Sequence, residues 1–305
     1  MYLEQAVQPQ NKFWKYLLGV AIIFLASTIG QLPLVMAITY SSVAQGKSYP
    51  ATHNQMMQLM DSNLTLFLML ISFVVALLAA FWVFRQFHKQ TIISVTTARE
   101  KIDWGRIRFS FTVWAIFSAG STLLLYLVKP ENFQINFQLF PFLILVVIGI
   151  LLIPIQTSFE EYVFRGYLMQ GFAVLAKNRW VPLLMTSLIF GALHIANPEV
   201  DKLGNIIMVY YIGTGLFLGI VTLMDEGIEL ALGFHAANNL IGAILVTSEW
   251  SAFQTYSIFK DVSNPNTLWD VLIPVFSIFP LLLFIFNKKY GWNDWKDKLF
   301  GELKA

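Results

Sequence analysis

Long apolar stretches, separated by short polar segments, constrain this chain more than any other feature. Hydrophobic residues make up 57% of the chain and charged residues only 12%, about half the charge that a soluble domain carries. A helix needs roughly 20 apolar residues to cross a bilayer core about 30 Å thick. The sequence therefore predicts an all-α, polytopic membrane protein.

Eight stretches reach about this length, and we expect about eight transmembrane helices. They cover residues 14–39, 64–84, 109–128, 142–172, 181–196, 206–224, 228–247 and 268–287. The longest loops between them have about 20 residues, which is too short for an independent core. We therefore expect residues 1–305 to form a single membrane domain.

The distribution of Lys and Arg predicts the orientation of these spans. Of the 20 Lys and Arg residues, 16 fall on one side of an eight-span topology, and the other side has only Lys47, Lys129, Lys202 and Lys260. Basic residues concentrate in cytoplasmic loops. This predicts that both termini are cytoplasmic, in an integral, multi-pass protein that we assign to a bacterial cell membrane.

Two further counts exclude several classes of function. The chain has no cysteine, so thiol nucleophiles and Cys-ligated metals are impossible, and any metal would be held by His, Asp or Glu. The formal net charge is only +2 and there is no basic block. We therefore expect no nucleic acid among the partners, because such binding depends on neutralising phosphates.

Three ionisable residues interrupt the apolar run from residue 140 to residue 176, namely Glu160, Glu161 and Arg165. A charge inside a membrane costs about 2.5–3.5 kcal/mol, which makes each of them a functional candidate. Glu161 and Arg165 are four residues apart and should pair on one helix face. Glu160 then faces another surface and could accept a proton. A purely structural ion cluster is the alternative interpretation.

This apolar run is too long for one straight span. Either its first part is an interfacial helix, or the helix is broken near Pro154, which lacks a backbone donor.

Elsewhere, we expect the acidic turn Asp225, Glu226 and Glu229 to be a solvated helix start. His53 and His88 are expected in solvated loops.

Two other spans carry isolated histidines. Phe190-Gly-Ala-Leu-His194 ends the fifth span, and His235-Ala-Ala-Asn238-Asn239 lies within the seventh. His235 and Asn239 are four apart, so one helix face presents an imidazole and an amide together. A single such histidine is more often a packing residue, but two of them beside an acidic pair favour a polar site between the fourth, fifth and seventh spans.

These groups suit hydrolysis by an activated water. Glu160 and His194 would deprotonate and orient the water, while His235 and Asn239 would donate to the developing oxyanion. Glu160, His194 and His235 could instead ligate zinc and leave one position open for water. The residues alone leave the cofactor unknown, with zinc and a metal-independent glutamate mechanism equally open. Both mechanisms require Glu160 and His194 to meet near the middle of the membrane, in a polar cavity that water can reach.

The three motifs resemble those of the CAAX protease and bacteriocin-processing (CPBP, or Abi) family, which includes the type II CAAX prenyl endopeptidases. They lie in order within a motif-bearing core of about 140–247. The resemblance implies an intramembrane endopeptidase in which Glu160 and His194 activate water and His235 and Asn239 stabilise the oxyanion. Glu161, Arg165 and Phe190 would support the site. The implied partners are the lipid bilayer and a membrane-associated peptide substrate, which is cut near its C-terminus. In some members of the family this substrate is prenylated.

Two other classes of function stay open from the sequence. One is a non-catalytic membrane protein that confers immunity or binds a peptide in the cavity. The other is a proton-coupled transporter, since buried Glu and His residues are common in proton relays. Substituting Glu160 or His194 separates the classes, because only a protease would lose a cleavage product.

Overall fold

The computed structural model describes residues 1–303 and is predominantly helical. It confirms an all-α, polytopic membrane protein. Six helical segments are long and apolar enough to cross a membrane: Phe13–Ala44, Ser62–His88, Trp104–Val128, Leu139–Ala176, Pro198–Asp225 and Leu268–Tyr290.

The α-helices follow the predicted segments closely. They are α1 (Phe13–Gly30), α2 (Leu32–Ala44), α3 (His53–Met57), α4 (Ser62–His88), α5 (Ile92–Thr96), α6 (Trp104–Val128), α7 (Leu139–Glu161), α8 (Met169–Ala176), α9 (Trp180–Leu193), α10 (Pro198–Leu203), α11 (Ile207–Asp225), α12 (Glu229–Leu245), α13 (Phe279–Tyr290) and α14 (Trp295–Phe300). The π-helical segments are Tyr162–Leu168, Leu268–Leu272 and Pro274–Ile278, and the 3₁₀ turns are Leu3–Ala6, Pro130–Asn132 and Gly204–Ile206.

Side-chain caps define where two long helices begin. Asp61 accepts hydrogen bonds from the backbone of Asn63 and Leu64 at the start of α4. Asp103 does the same for Gly105 and Arg106 at the start of α6. Such caps satisfy backbone donors that have no partner within the helix.

Polar segments from distant parts of the chain meet at one end of the bundle. The backbone nitrogen of Tyr2 lies 2.6 Å from Oε2 of Glu226, and Ala98 donates to the carbonyl of the same glutamate. Leu303 donates to the carbonyl of Lys177. Segments before α1, between α5 and α6, between α8 and α9, after α11 and after α14 therefore share this end.

A small sheet and two short helices lie at the opposite end. The central strand β3 (Phe259–Asp261) pairs antiparallel with β1 (Phe133–Ile135) and parallel with β2 (Val246–Thr247). Nearby, Ala252 donates its backbone N–H to Glu199 and accepts a hydrogen bond from His53. The chain therefore returns to alternate ends of the bundle.

Two of the eight predicted spans are shorter than the rest. Helix α9 has 14 residues and α12 has 17. A helix of 14 residues extends only about 21 Å, which is less than the thickness of the bilayer core. Six of the eight stretches meet the length and composition of a membrane-crossing helix. Eight crossings and cytoplasmic termini stay a prediction.

The long apolar run is one helical segment, and of the two alternatives that the sequence left open, the break near Pro154 is wrong. Pro154 lies inside α7, which continues to Glu161. The irregularity comes eight residues later, where the π-helical segment Tyr162–Leu168 joins α7 to α8. Such π-helical turns occur frequently at functional sites, and this one carries Arg165.

The acidic turn between α11 and α12 is buried, which corrects our expectation of a solvated helix start. Asp225 is 3% exposed and Glu229 is fully buried. Arg106 forms an ion pair with Asp225, and Arg99 lies 3.2 Å from both carboxylates. Trp292 also donates to Asp225. Arginines from the segment before α6 and from its first turn supply the opposite charge that makes this burial possible.

His88 is likewise buried rather than solvated. It ends α4 and is 1% exposed. One ring nitrogen lies 2.8 Å from Asn11 and the other 2.9 Å from the hydroxyl of Tyr167. His88 therefore ties the segment before α1 to the π-helical segment.

Helix α12 occupies the centre of the bundle, where it packs on α6 and α7, while α9 packs on α11. Close approach of these helices depends on glycine. A Cβ atom on Gly233 would overlap the backbone oxygen of Ile107, and one on Gly191 would overlap the side chain of Ile212. These contacts hold the helices that carry the predicted histidines close to their neighbours.

Candidate active site

The acidic pair lies at the C-terminal end of α7. Glu161 is fully buried and Arg165 is 1% exposed, and their charged groups lie 2.9 Å apart. The predicted pairing of Glu161 with Arg165 is thus confirmed. Arg165 also reaches the backbone carbonyl of Gly215 in α11. Glu160 has a side chain that is 16% exposed, so it stays accessible from the surface of the bundle.

His235 from α12 contacts both carboxylates. Its Nδ1 lies 2.7 Å from Oε1 of Glu161, and its Nε2 lies 3.8 Å from Oε2 of Glu160. Because a carboxylate only accepts hydrogen bonds, Nδ1 carries the hydrogen. The sequence placed His235 in the site but did not indicate that Glu161 would hold its ring.

A chain of amides connects Glu160 to Asn239. Gln156 donates to Glu160 and accepts a hydrogen bond of 3.1 Å from Asn239. Asn239 in turn accepts from Asn238, whose oxygen accepts from the indole of Trp114. This chain fixes the side chain of Asn239 on the helix face that carries His235.

Sequence reasoning missed Gln156. A signal was available, because Gln156 is a buried amide in an otherwise apolar helix, four residues before Glu160 and on the same face. Its contact with Asn239 spans 83 residues of sequence, which helix periodicity does not reveal.

His194 follows the last residue of α9. Its Nδ1 lies 2.7 Å from the carbonyl oxygen of Phe190, so Nδ1 is the donor and, in the neutral ring, Nε2 keeps its lone pair. The ring lies 4.6 Å from the ring of Phe190 and 4.5 Å from that of Tyr211. Tyr211 is a second contact that sequence reasoning missed.

Phe190 joins the two histidines into one cluster. Its ring centroid lies 4.6 Å from that of His194 and 6.3 Å from that of His235. The guanidinium of Arg165 lies 4.5 Å from the same centroid. Phe190 thus contacts predicted residues from the end of α9, from α12 and from the π-helical segment that follows α7.

The arrangement does not fit the three-ligand zinc set that the sequence allowed. Among residues 1–303, no group of three His, Asp or Glu side chains has the arrangement of a metal site. Glu160 and His235 are neighbours, at 3.8 Å between Oε2 and Nε2, while the ring of His194 contacts that of Phe190. We therefore derive no step through a metal, and ligation by Glu160, His194 and His235 is left to a test with chelators.

Comparison with known proteins supports the resemblance. Residues 137–241 match the family model Rce1-like, described as type II CAAX prenyl endopeptidase Rce1-like. This match confirms the resemblance drawn from the three motifs, and it covers all the predicted site residues. The chain is thus a membrane protein whose residues 137–241 are similar to the Rce1-like family.

A curated relative from Bacillus subtilis strain 168 resembles most of the chain. Its name is Uncharacterized protein YyaK, and it is 26% identical over 270 residues, which is 88% of this chain and 90% of the relative. No solved structure gives a significant match.

Proposed function

We propose that this protein is an intramembrane endopeptidase that cleaves a peptide bond with an activated water. One observation carries the proposal. A carboxylate pair from α7, an imidazole and an amide from α12, and a second imidazole from the end of α9 converge in one partly accessible cluster. The match of the same segment to an Rce1-like family supports this interpretation.

Glu160 is the proposed general base. Gln156 donates to its Oε1, which leaves Oε2 free to take a proton from water. The Nε2 lone pair of His194 orients that water, since Nδ1 already binds a backbone carbonyl. The water oxygen then attacks the peptide carbonyl carbon, the C–N bond breaks, and the proton on Glu160 passes to the leaving amine.

His235 and Asn239 are the proposed oxyanion donors. Asn239 uses one amide hydrogen on Gln156, so its second hydrogen is available. His235 donates through Nδ1 to Glu161 and, when protonated, presents Nε2–H to the site. Donors held in place before the reaction stabilise the developing charge strongly.

The proposed substrate is a membrane-associated peptide, cut near its C-terminus and prenylated in the manner of CAAX proteins. The description of the matching family supports this substrate class. Polar segments at one end of the bundle and the bacterial relative support a bacterial cell membrane with cytoplasmic termini.

Cleavage of a quenched prenylated CAAX peptide by detergent-purified protein tests the proposal. We expect cleavage by the wild type, and loss of about a hundredfold or more in Glu160→Gln and His194→Ala. Glu131→Gln, an exposed carboxylate outside the site, is the matched control and should cleave normally.

Two results would contradict the proposal. Folded wild type that leaves this peptide and a set of unprenylated membrane peptides intact would favour a peptide-binding or immunity protein. Proton-linked uptake by reconstituted wild type, lost in Glu160→Gln without any cleavage product, would favour a transporter.

A further inference from the structure

Tyr211 forms the closest aromatic contact of His194. The two ring centroids lie 4.5 Å apart and their planes are inclined by 27°, which is a stacked arrangement. Tyr211 belongs to α11, which carries none of the predicted site residues, and is only 9% exposed. The ring of Phe190 lies 4.6 Å from the same imidazole.

The hydroxyl of Tyr211 is hydrogen-bonded to the segment that follows His194. Asn197, which precedes α10, donates to it over 3.3 Å. Glu199 of α10 accepts a 2.8 Å hydrogen bond from the backbone of Ala252, in the segment after β2. The position of the Tyr211 ring is therefore tied to polar contacts at the end of the bundle that carries the sheet.

The backbone of His194 is held on both sides, whereas its ring depends on side-chain contacts. The residue follows the end of α9, its N–H donates to the carbonyl of Gly191, and its own carbonyl accepts from Asn197. The Nδ1 contact with Phe190 fixes one edge of the ring but leaves it able to tilt about that bond. The stacked ring of Tyr211 restricts this tilt. Without it, Nε2 of His194 would turn away from the bound water that it is proposed to orient.

We propose that Tyr211 is a positioning residue for His194, in which the stacked ring, rather than the hydroxyl, holds Nε2 toward the reacting water. Only the expected effect on catalysis rests on the proposed function. The geometric part, that Tyr211 restrains the His194 imidazole, can be tested without any substrate.

The activity arm compares two substitutions of the same residue. Tyr211→Leu removes the ring, and we expect kcat to fall about tenfold while KM changes by less than about twofold. Tyr211→Phe keeps the ring and should retain most of kcat. Tyr210→Leu is the matched control, because Tyr210 is the adjacent aromatic residue and packs on Phe279.

The second arm measures the imidazole directly. Diethyl pyrocarbonate acylates accessible, unprotonated imidazole nitrogens, and mass spectrometry of peptides reports each histidine separately. We expect the acylation rate of His194, relative to partly buried His53, to rise about fivefold in Tyr211→Leu, as the free energy of one aromatic pair implies. Tyr211→Phe and Tyr210→Leu should stay near the wild-type ratio.

The outcomes separate the two proposals. Unchanged His194 acylation in Tyr211→Leu overturns the positioning role, whatever the activity. A raised rate in Tyr211→Leu together with no cleavage by the wild type would support the restraint on His194 and contradict the protease. A fall in kcat of the same size in Tyr210→Leu or Tyr211→Phe would contradict a specific role for the stacked ring.

Discussion

Oε1 of Glu161 receives hydrogen bonds from two cations or potential cations, Arg165 at 2.9 Å and His235 at 2.7 Å. The first comes from the same helical segment and the second from α12. One buried carboxylate therefore joins α7 to α12 at the level of Glu160. The second oxygen of Glu161 is buried and has no hydrogen-bond partner, so the stability of this junction depends on Oε1.

Glu161→Gln should destabilise the protein strongly. It leaves Arg165 buried without its counter-ion, and breaking a buried pair typically costs about 3–5 kcal/mol. The midpoint of thermal unfolding in detergent, followed by tryptophan fluorescence, measures the change. Glu160→Gln, whose side chain is partly exposed and has no Arg partner, is the matched control and should unfold near the wild-type midpoint. Equal midpoints for both variants would contradict the junction.

Gln156 should act on catalysis through both of its partners, Asn239 and Glu160. Gln156→Leu removes the acceptor that orients Asn239 and the donor to Glu160, so we expect kcat to fall by about tenfold to a hundredfold. A double-mutant cycle with Asn239→Leu tests the link, because residues that act together give non-additive effects. If the two losses simply multiply in the double variant, Gln156 and Asn239 act independently.

Chelators should leave cleavage largely unchanged. Glu160 and His235 approach each other, but no three His, Asp or Glu side chains within residues 1–303 are grouped as metal ligands. We expect activity within about twofold of the untreated level after dialysis against a strong chelator. If the chelator abolishes cleavage and added zinc restores it, substrate or metal must bring Glu160, His194 and His235 together. That result would favour the metalloprotease mechanism.

The ion cluster after α11 should matter for stability rather than chemistry. Glu229→Gln removes a fully buried charge 3.2 Å from Arg99, and we expect about 2–4 kcal/mol less stability. Thermal unfolding measures this, with Glu131→Gln as the exposed control. Cleavage at low temperature should remain within a few-fold of wild type, since Glu229 does not contact the site residues. A large loss of kcat in fully folded Glu229→Gln would instead tie the cluster to catalysis.

Properties that arise within one helix could be predicted from the sequence. The apolar stretches identified the helices because the bilayer sets their length and composition. The spacing of four residues identified the pairing of Glu161 with Arg165, because helix geometry alone brings such residues together.

Relationships between helices were decided only by tertiary structure. His235 binds Glu161 rather than Glu160, Gln156 meets Asn239, and Tyr211 stacks on His194, although no spacing in the sequence links these residues. The charge of Glu229 is buried because Arg99 reaches it from the segment before α6. Such contacts depend on how far each helix is rotated about its axis and shifted along it, and side-chain packing across the whole bundle sets both quantities.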